Sequence, residues 1–196
     1  MDLELLDRIR SARTATPASP ISAAAPHSDA TILERTGRGW DAWLTDARSA
    51  LGAEAEHPAI AAWVHAQGVD GWWSQAVAVG VERLSGRRQP GQMPDGSFSI
   101  SRSRASDLDR DALRALTSEL PGLATEQRSR PGAKALRLAV SDAVTGEPLG
   151  SVLFSLDAYG GRPRLTVTHD RIAGAAEAEL WKDYWSGWLA RLDGRG

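Results

Sequence analysis

Cysteine is absent from the chain, which excludes disulfides, zinc–thiolate sites, iron–sulfur clusters and a cysteine nucleophile. Long apolar runs are absent too. No stretch approaches the roughly 18 apolar residues that a membrane-crossing helix needs, so no transmembrane segment is expected. The N-terminus, MDLELLDRIR, carries acids where a signal peptide carries bases and has no continuous apolar core, so a cytoplasmic protein is expected. Nor is there a strong charge of either sign: 23 Lys and Arg stand against 25 Asp and Glu, a formal net charge of −2. That balance gives no general reason to bind nucleic acid or an acidic membrane. Phe and Tyr are scarce, two of each, yet the chain has 8 Trp. Three of these fall in the closing stretch WKDYWSGWLARL, residues 181–192.

Periodicity divides the chain into an α+β order. Residues 1–30 read as a short amphipathic helix followed by a flexible, Pro/Ala-rich linker. In the helix, Leu3, Leu6 and Ile9 recur every third residue; alone it is marginal and must dock on its own body, a second copy or a partner. Residues 31–90 read as a small domain of three helices. Trp40, Trp43, Leu44 and Ala47 share one face of the first; Pro58 opens the second; the third, DGWWSQAVAVGVERLSG, is apolar around most of its circumference and is expected to be the buried one. From about residue 95 to 196 the period switches to two. SFSISRSR is a strand, SDLDRDALRALTSEL a helix with Ser106 as its expected N-cap, and KALRLAVS, LGSVLFSLDA and RPRLTVTHD form an antiparallel meander. A long helix from about Gly174 to Leu192 closes the chain, with Gly194 as its expected stop. Trp181, Trp185, Trp188 and Leu192 form one stripe on it, with Tyr184 at the edge.

An antiparallel sheet with one apolar face needs a cover, and the last helix is the element able to supply it. Strand parity then places Phe98, Ile100, Phe154 and Val167 opposite the indoles, with Arg102 and His169 pointing inward near the ends of the space. Such a space is either filled core or a pocket for an apolar or amphiphilic ligand, anchored by Arg102 and His169. Catalytic patterns are missing. His57 and His65 are too far apart to chelate, and no HExxH, GxSxG or P-loop occurs. Asp107, Asp109 and Asp111 start like a calcium loop but lack its glycine and its closing glutamate. No metal, cofactor or catalytic residue is expected, and an enzyme built on His169 lacks a visible polar partner. Arg83, Arg87, Arg88 and Arg104 concentrate positive charge around the junction at residue 90. They read as a solvated face or as a surface for an acidic partner, RNA or DNA; without interleaved aromatics the single-strand form is weak.

GWWSQAVAVGVERLSGRRQPGQMPDGSFSISRSR, together with TGRGWDAWL and HPAIAAWV, resembles the junction in bacterial proteins that join a small helical domain of unknown function to a START-like domain. RLTVTHDRI followed by ELWKDYWSGWLARL is similar to that family's C-terminal end. Its members are known as homologues of the activator of the heat-shock-protein-90 ATPase. The resemblance spans roughly residues 36–194. It implies a helix-grip fold, a curved antiparallel sheet around a long C-terminal helix. The first functional expectation is therefore a non-enzymatic protein holding a small hydrophobic ligand between sheet and helix. The alternative is a protein-interaction or chaperone-cofactor module that meets a partner through residues 1–12. Nucleic-acid binding by the junction arginines ranks third.

Overall fold

Residues 3–14, 24–118, 120–130, 132–160 and 162–192 are described by a computed structural model. Among them lie seven helices and five strands, so the chain is α+β. They divide into two compact units. One holds the N-terminal helix and every element from Phe98 onward, and the other holds the four helices between.

The helical unit contains α2 (Asp29–Thr36), α3 (Trp40–Leu51), α4 (His57–Ala66) and α5 (Gly71–Leu84). The string that reads as a linker therefore ends as structure. Ser28 caps α2 by accepting from Thr31 N at 3.2 Å, and the carbonyl of His27 accepts the Trp40 indole N–H at 2.9 Å. Residues 15–23 lie outside the described residues. Asp70 caps α5 by accepting from Trp73 N. α5 is the most buried helix of the unit, as its largely apolar circumference predicts. Val77, Ala78, Gly80 and Val81 are buried, but Trp72, one turn earlier, is 63% exposed. The core of the unit is closed by a tight approach: a Cβ added to Gly80 would lie 2.0 Å from the Trp40 ring. Trp40 is itself buried and tethered through its N–H, so it has little room to give. Gly80→Ala is expected to destabilise this unit by about 1–3 kcal/mol despite alanine's higher helix propensity; a denaturant midpoint equal to wild type would show that the ring moves freely.

The sheet unit runs β1 (Phe98–Ala105), α6 (Arg110–Thr117), β2 (Leu123–Gln127), β3 (Leu136–Asp142), β4 (Pro148–Tyr159), β5 (Arg162–Ile172) and α7 (Ala175–Ala190). The sheet is antiparallel in the order β1-β5-β4-β3-β2. The meander β2 to β5 follows from short polar turns. The connection through α6 then carries the chain between the two edge strands, and Leu113 of α6 is buried in the core of this unit. α6 starts later than the sequence suggests: Asp109, not Ser106, caps it, accepting from Ala112 N at 2.8 Å, while Ser106 Oγ accepts from Leu108 N. α7 packs on β1 and β5. Beside it lies the N-terminal helix α1 (Leu3–Thr14), with Leu6 and Ile9 buried in the same core. Its remaining ties are ionic. Arg10 makes two bonds to the carboxylate of Asp142, at 2.6 and 3.2 Å, and Arg13 reaches Glu177 at 3.4 Å. No helix among the described residues is long and apolar enough to cross a membrane.

Candidate functional site

Alternation along three strands and one helical stripe bring the sequence-predicted residues together. β5 turns Leu165, Val167 and His169 to the α7 side, β4 turns Val152 and Phe154, and β1 turns Phe98 and Ile100. α7 answers with Trp181, Tyr184, Trp185 and Trp188. Of these, Phe154, Val167, His169, Trp181 and Trp185 are each 0% exposed, and Tyr184 is 1%. The rings meet one another. Phe154 stands edge-on to Trp185 at 5.7 Å and tilted to Trp188 at 5.6 Å. His169 stands edge-on to Trp181 at 4.5 Å, and Trp181 stacks on Trp185 at 6.3 Å. These spacings are those of aromatic contact, so the indoles are packed against side chains of the chain itself. Arg102 is placed differently. It is half-buried at the rim, where its guanidinium donates to Ser186 Oγ at 3.1 Å and to the Ser101 carbonyl.

The polar atoms inside this cluster are paired. His169 Nε2 lies 2.8 Å from the Leu149 carbonyl, which can only accept, so Nε2 carries the proton. The Trp185 indole N–H can only donate and lies 3.1 Å from Nδ1, so Nδ1 is the bare nitrogen. The two partners select one neutral tautomer, and burial pushes the imidazole pKa down to about 4. Glu177 sits four residues before Trp181 and is 0% exposed. It accepts from the Trp181 indole N–H at 3.0 Å, from Ala173 N at 3.2 Å and from Arg13. Asp142, buried at the end of β3, is held at a pKa of about 2, chiefly by its hydrogen bonds from Arg10. Tyr184 donates to the Pro121 carbonyl, and burial holds its phenol above the ordinary range. Chemically, this set fastens α7 and α1 to the sheet. His169 has both nitrogens committed, and the carboxylate of Glu177 faces an arginine and two N–H donors.

Sequence reasoning missed Glu177, although its spacing placed it on the Trp stripe and a carboxylate there needs donors. It also missed the Arg10–Asp142 pair, whose partners are 132 residues apart and carry no local signal. The junction arginines are divided between the two units. Arg83, Arg87 and Arg88 belong to the helical unit, and Arg104 lies on β1. Arg88 pairs with Glu82 at 3.0 Å, and Glu82 also meets His57. Arg87 donates to the Ala55 carbonyl. Burial, and then the charge of Arg88, push the Arg83 pKa down, and its buried Nε has no hydrogen-bond partner among the described residues.

Against known proteins, no family model matches the chain, and neither the curated proteins nor the solved structures contain a match. The fold and the site define an α+β protein, an antiparallel five-stranded sheet with a C-terminal helix packed on it.

Proposed function

We propose that the chain is a non-enzymatic binding protein whose sheet unit is a compact helix-grip, START-like scaffold, and that it acts through its surface as a protein-interaction or chaperone-cofactor module. The strand order β1-β5-β4-β3-β2 with a final helix against β1 and β5 is what a reduced helix-grip would have, and so supports that reading. One observation carries the functional half: Trp181, Tyr184, Trp185, Phe154 and His169 occupy the space between sheet and last helix and touch one another there. A ligand held at that place would have to part the indoles and break the bonds of His169. On the helical unit, by contrast, Trp72 is 63% and Leu33 50% exposed, and Trp72 meets His27 and Trp73 in a surface aromatic group. Exposed tryptophan is a common anchor of protein interfaces.

The test combines native mass spectrometry of the protein purified from its host with the ATPase rate of that host's heat-shock-protein-90 chaperone. Expected are the bare mass of the chain and a changed ATPase rate, the change lost in Trp72→Ala at an unaltered melting temperature. A co-purifying small molecule that shifts Trp fluorescence on removal would restore the ligand-holding reading instead. An unchanged ATPase rate, with no partner captured through Trp72, would remove the surface reading.

A further inference from the structure

A second feature of the sheet unit stands apart from the aromatic cluster. Residues of β2, β3 and β4 line a groove of about 600 Å³, flanked by Arg13 of α1, Arg128 just after β2 and Arg171 of β5. Its small lining residues Ala124, Ala139 and Ser141 alternate with the buried Leu123, Val140 and Asp142, so they belong to the sheet face turned away from α7. Glu126 is the one carboxylate of the lining, and Arg128 engages it at 2.7 Å. Arg13 is held by Glu177. The side chain of Arg171 has no hydrogen-bond or ion-pair partner among the described residues, although Asp95 feels its charge.

The backbone singles out Arg171 independently. Its φ of 63° makes it the one non-glycine residue at positive φ among those described. The cause is a bulge: Phe98 faces Ile172 and Ile100 faces His169, so β5 spends one more residue here than β1. Next to it, β4 approaches so closely that a Cβ on Gly150 would lie 2.3 Å from the Asp170 carbonyl. Gly150 is therefore required at this point of β4. Glycine adopts positive φ freely and arginine only at a cost. An arginine at such a position, exposed and unpaired beside a groove, is an outlier that points to use of its side chain.

We propose that this groove is a binding site for a small molecule carrying two anionic groups, phosphates or carboxylates, with Arg171 as its anchor and Arg128 as its second cation. The volume suits a metabolite-sized ligand. Arg171 and Arg128 both line the groove, and planar guanidiniums match paired oxyanions. The site is built from residues of the sheet unit alone, and the proposal does not rest on the surface reading of the helical unit.

Calorimetric titration with inorganic pyrophosphate, and in parallel with citrate, tests the assignment. Saturable one-site binding is expected, weakening as salt is raised. Affinity should fall at least tenfold in Arg171→Gly and severalfold in Arg128→Gln. Because glycine relieves the backbone, Arg171→Gly should melt at the wild-type temperature or above it, a result that a merely structural arginine would not give. Tighter binding of pyrophosphate assigns the anion as phosphate, and tighter binding of citrate assigns it as carboxylate. Absence of saturable binding by either probe at millimolar concentration, or undiminished affinity in Arg171→Gly, overturns the proposal. Should that variant fail to fold, Arg171→Gln decides in its place, with unchanged affinity again the overturning result.

Discussion

Trp185→Ala is expected to cost the sheet unit about 3–5 kcal/mol, the usual price of truncating a fully buried large aromatic. Trp185 is 0% exposed and touches Phe154, Trp181, Tyr184 and Trp188, so no neighbour is free to fill the void from solvent. A second loss adds to the cavity. The indole N–H is the donor to His169 Nδ1, and its removal leaves that buried acceptor unsatisfied. Domains of this size are stable by about 5–15 kcal/mol, so the variant should stand close to unfolding at ambient temperature. Trp185→Phe separates the two contributions, since it refills most of the volume but restores no donor. Denaturant unfolding monitored on the remaining tryptophans should place Trp185→Phe between the other two. If alanine costs under about 1 kcal/mol, the cluster is loosely packed, and a ligand-sized space between sheet and helix regains its support.

The physics that makes this cluster rigid also made it legible. A stripe of three tryptophans at helical spacing has one low-energy solution, burial against an apolar sheet face, and strict alternation in RLTVTHD and SVLFSL leaves little freedom in which residues meet it. Phe98, Ile100, Phe154, Val167 and His169 were therefore assigned to the inner face from parity alone, and they are buried there. β2 was not legible. Only Leu123 of LATEQ is buried, and an edge strand with polar neighbours has no pattern to set it apart from a loop. The start of α6 was misplaced for a related reason: Ser106 and Asp109 can both cap, and the choice depends on where β1 releases the chain. α2 hid in a run of Pro, Ser and Ala because its stability comes from Ile32, the one fully buried residue of that helix, and from a cap rather than from any periodic face.

The N-terminal helix shows the other limit of local reading. Its amphipathic spacing predicts docking but names no dock. The answer lies in Asp142 and Glu177, buried acids to which α1 supplies the cations Arg10 and Arg13. Neither acid is near α1 in sequence. The groove beside Arg171 is equally long-range in origin, since it depends on a bulge in β5 and a glycine in β4. Side chains that face a core announce themselves by period, whereas ion pairs and bulges do so only once strands are in register.

Stability is expected to fall with acid through His169, over the window from about pH 6.5 to about pH 4. In the unfolded chain the imidazole titrates at its ordinary 6.5, while in the folded chain burial holds it down to about 4, against smaller upward pulls from the Leu149 carbonyl and Asp170 and a downward one from Arg13. Because the folded pKa is the lower one, the unfolded state takes up a proton first as pH drops, and each proton so taken favours unfolding. The loss runs at about 1.4 kcal/mol per pH unit within the window and totals about 3 kcal/mol, then levels off below it. The geometry gives the same sign. Protonating Nδ1 would set two donors against each other, the new N–H and that of Trp185, in a site that water does not reach. Asp142 acts in the same direction but later, since Arg10 keeps it ionised until the pH nears 2. His169→Gln provides the comparison. Its amide can donate to the Leu149 carbonyl and accept from Trp185, yet it does not titrate. Urea unfolding at pH 7, 6, 5 and 4.5 should show the variant less stable at pH 7 but nearly flat across the window, with the two proteins converging toward pH 4. Parallel curves would show that the acid sensitivity does not come from His169.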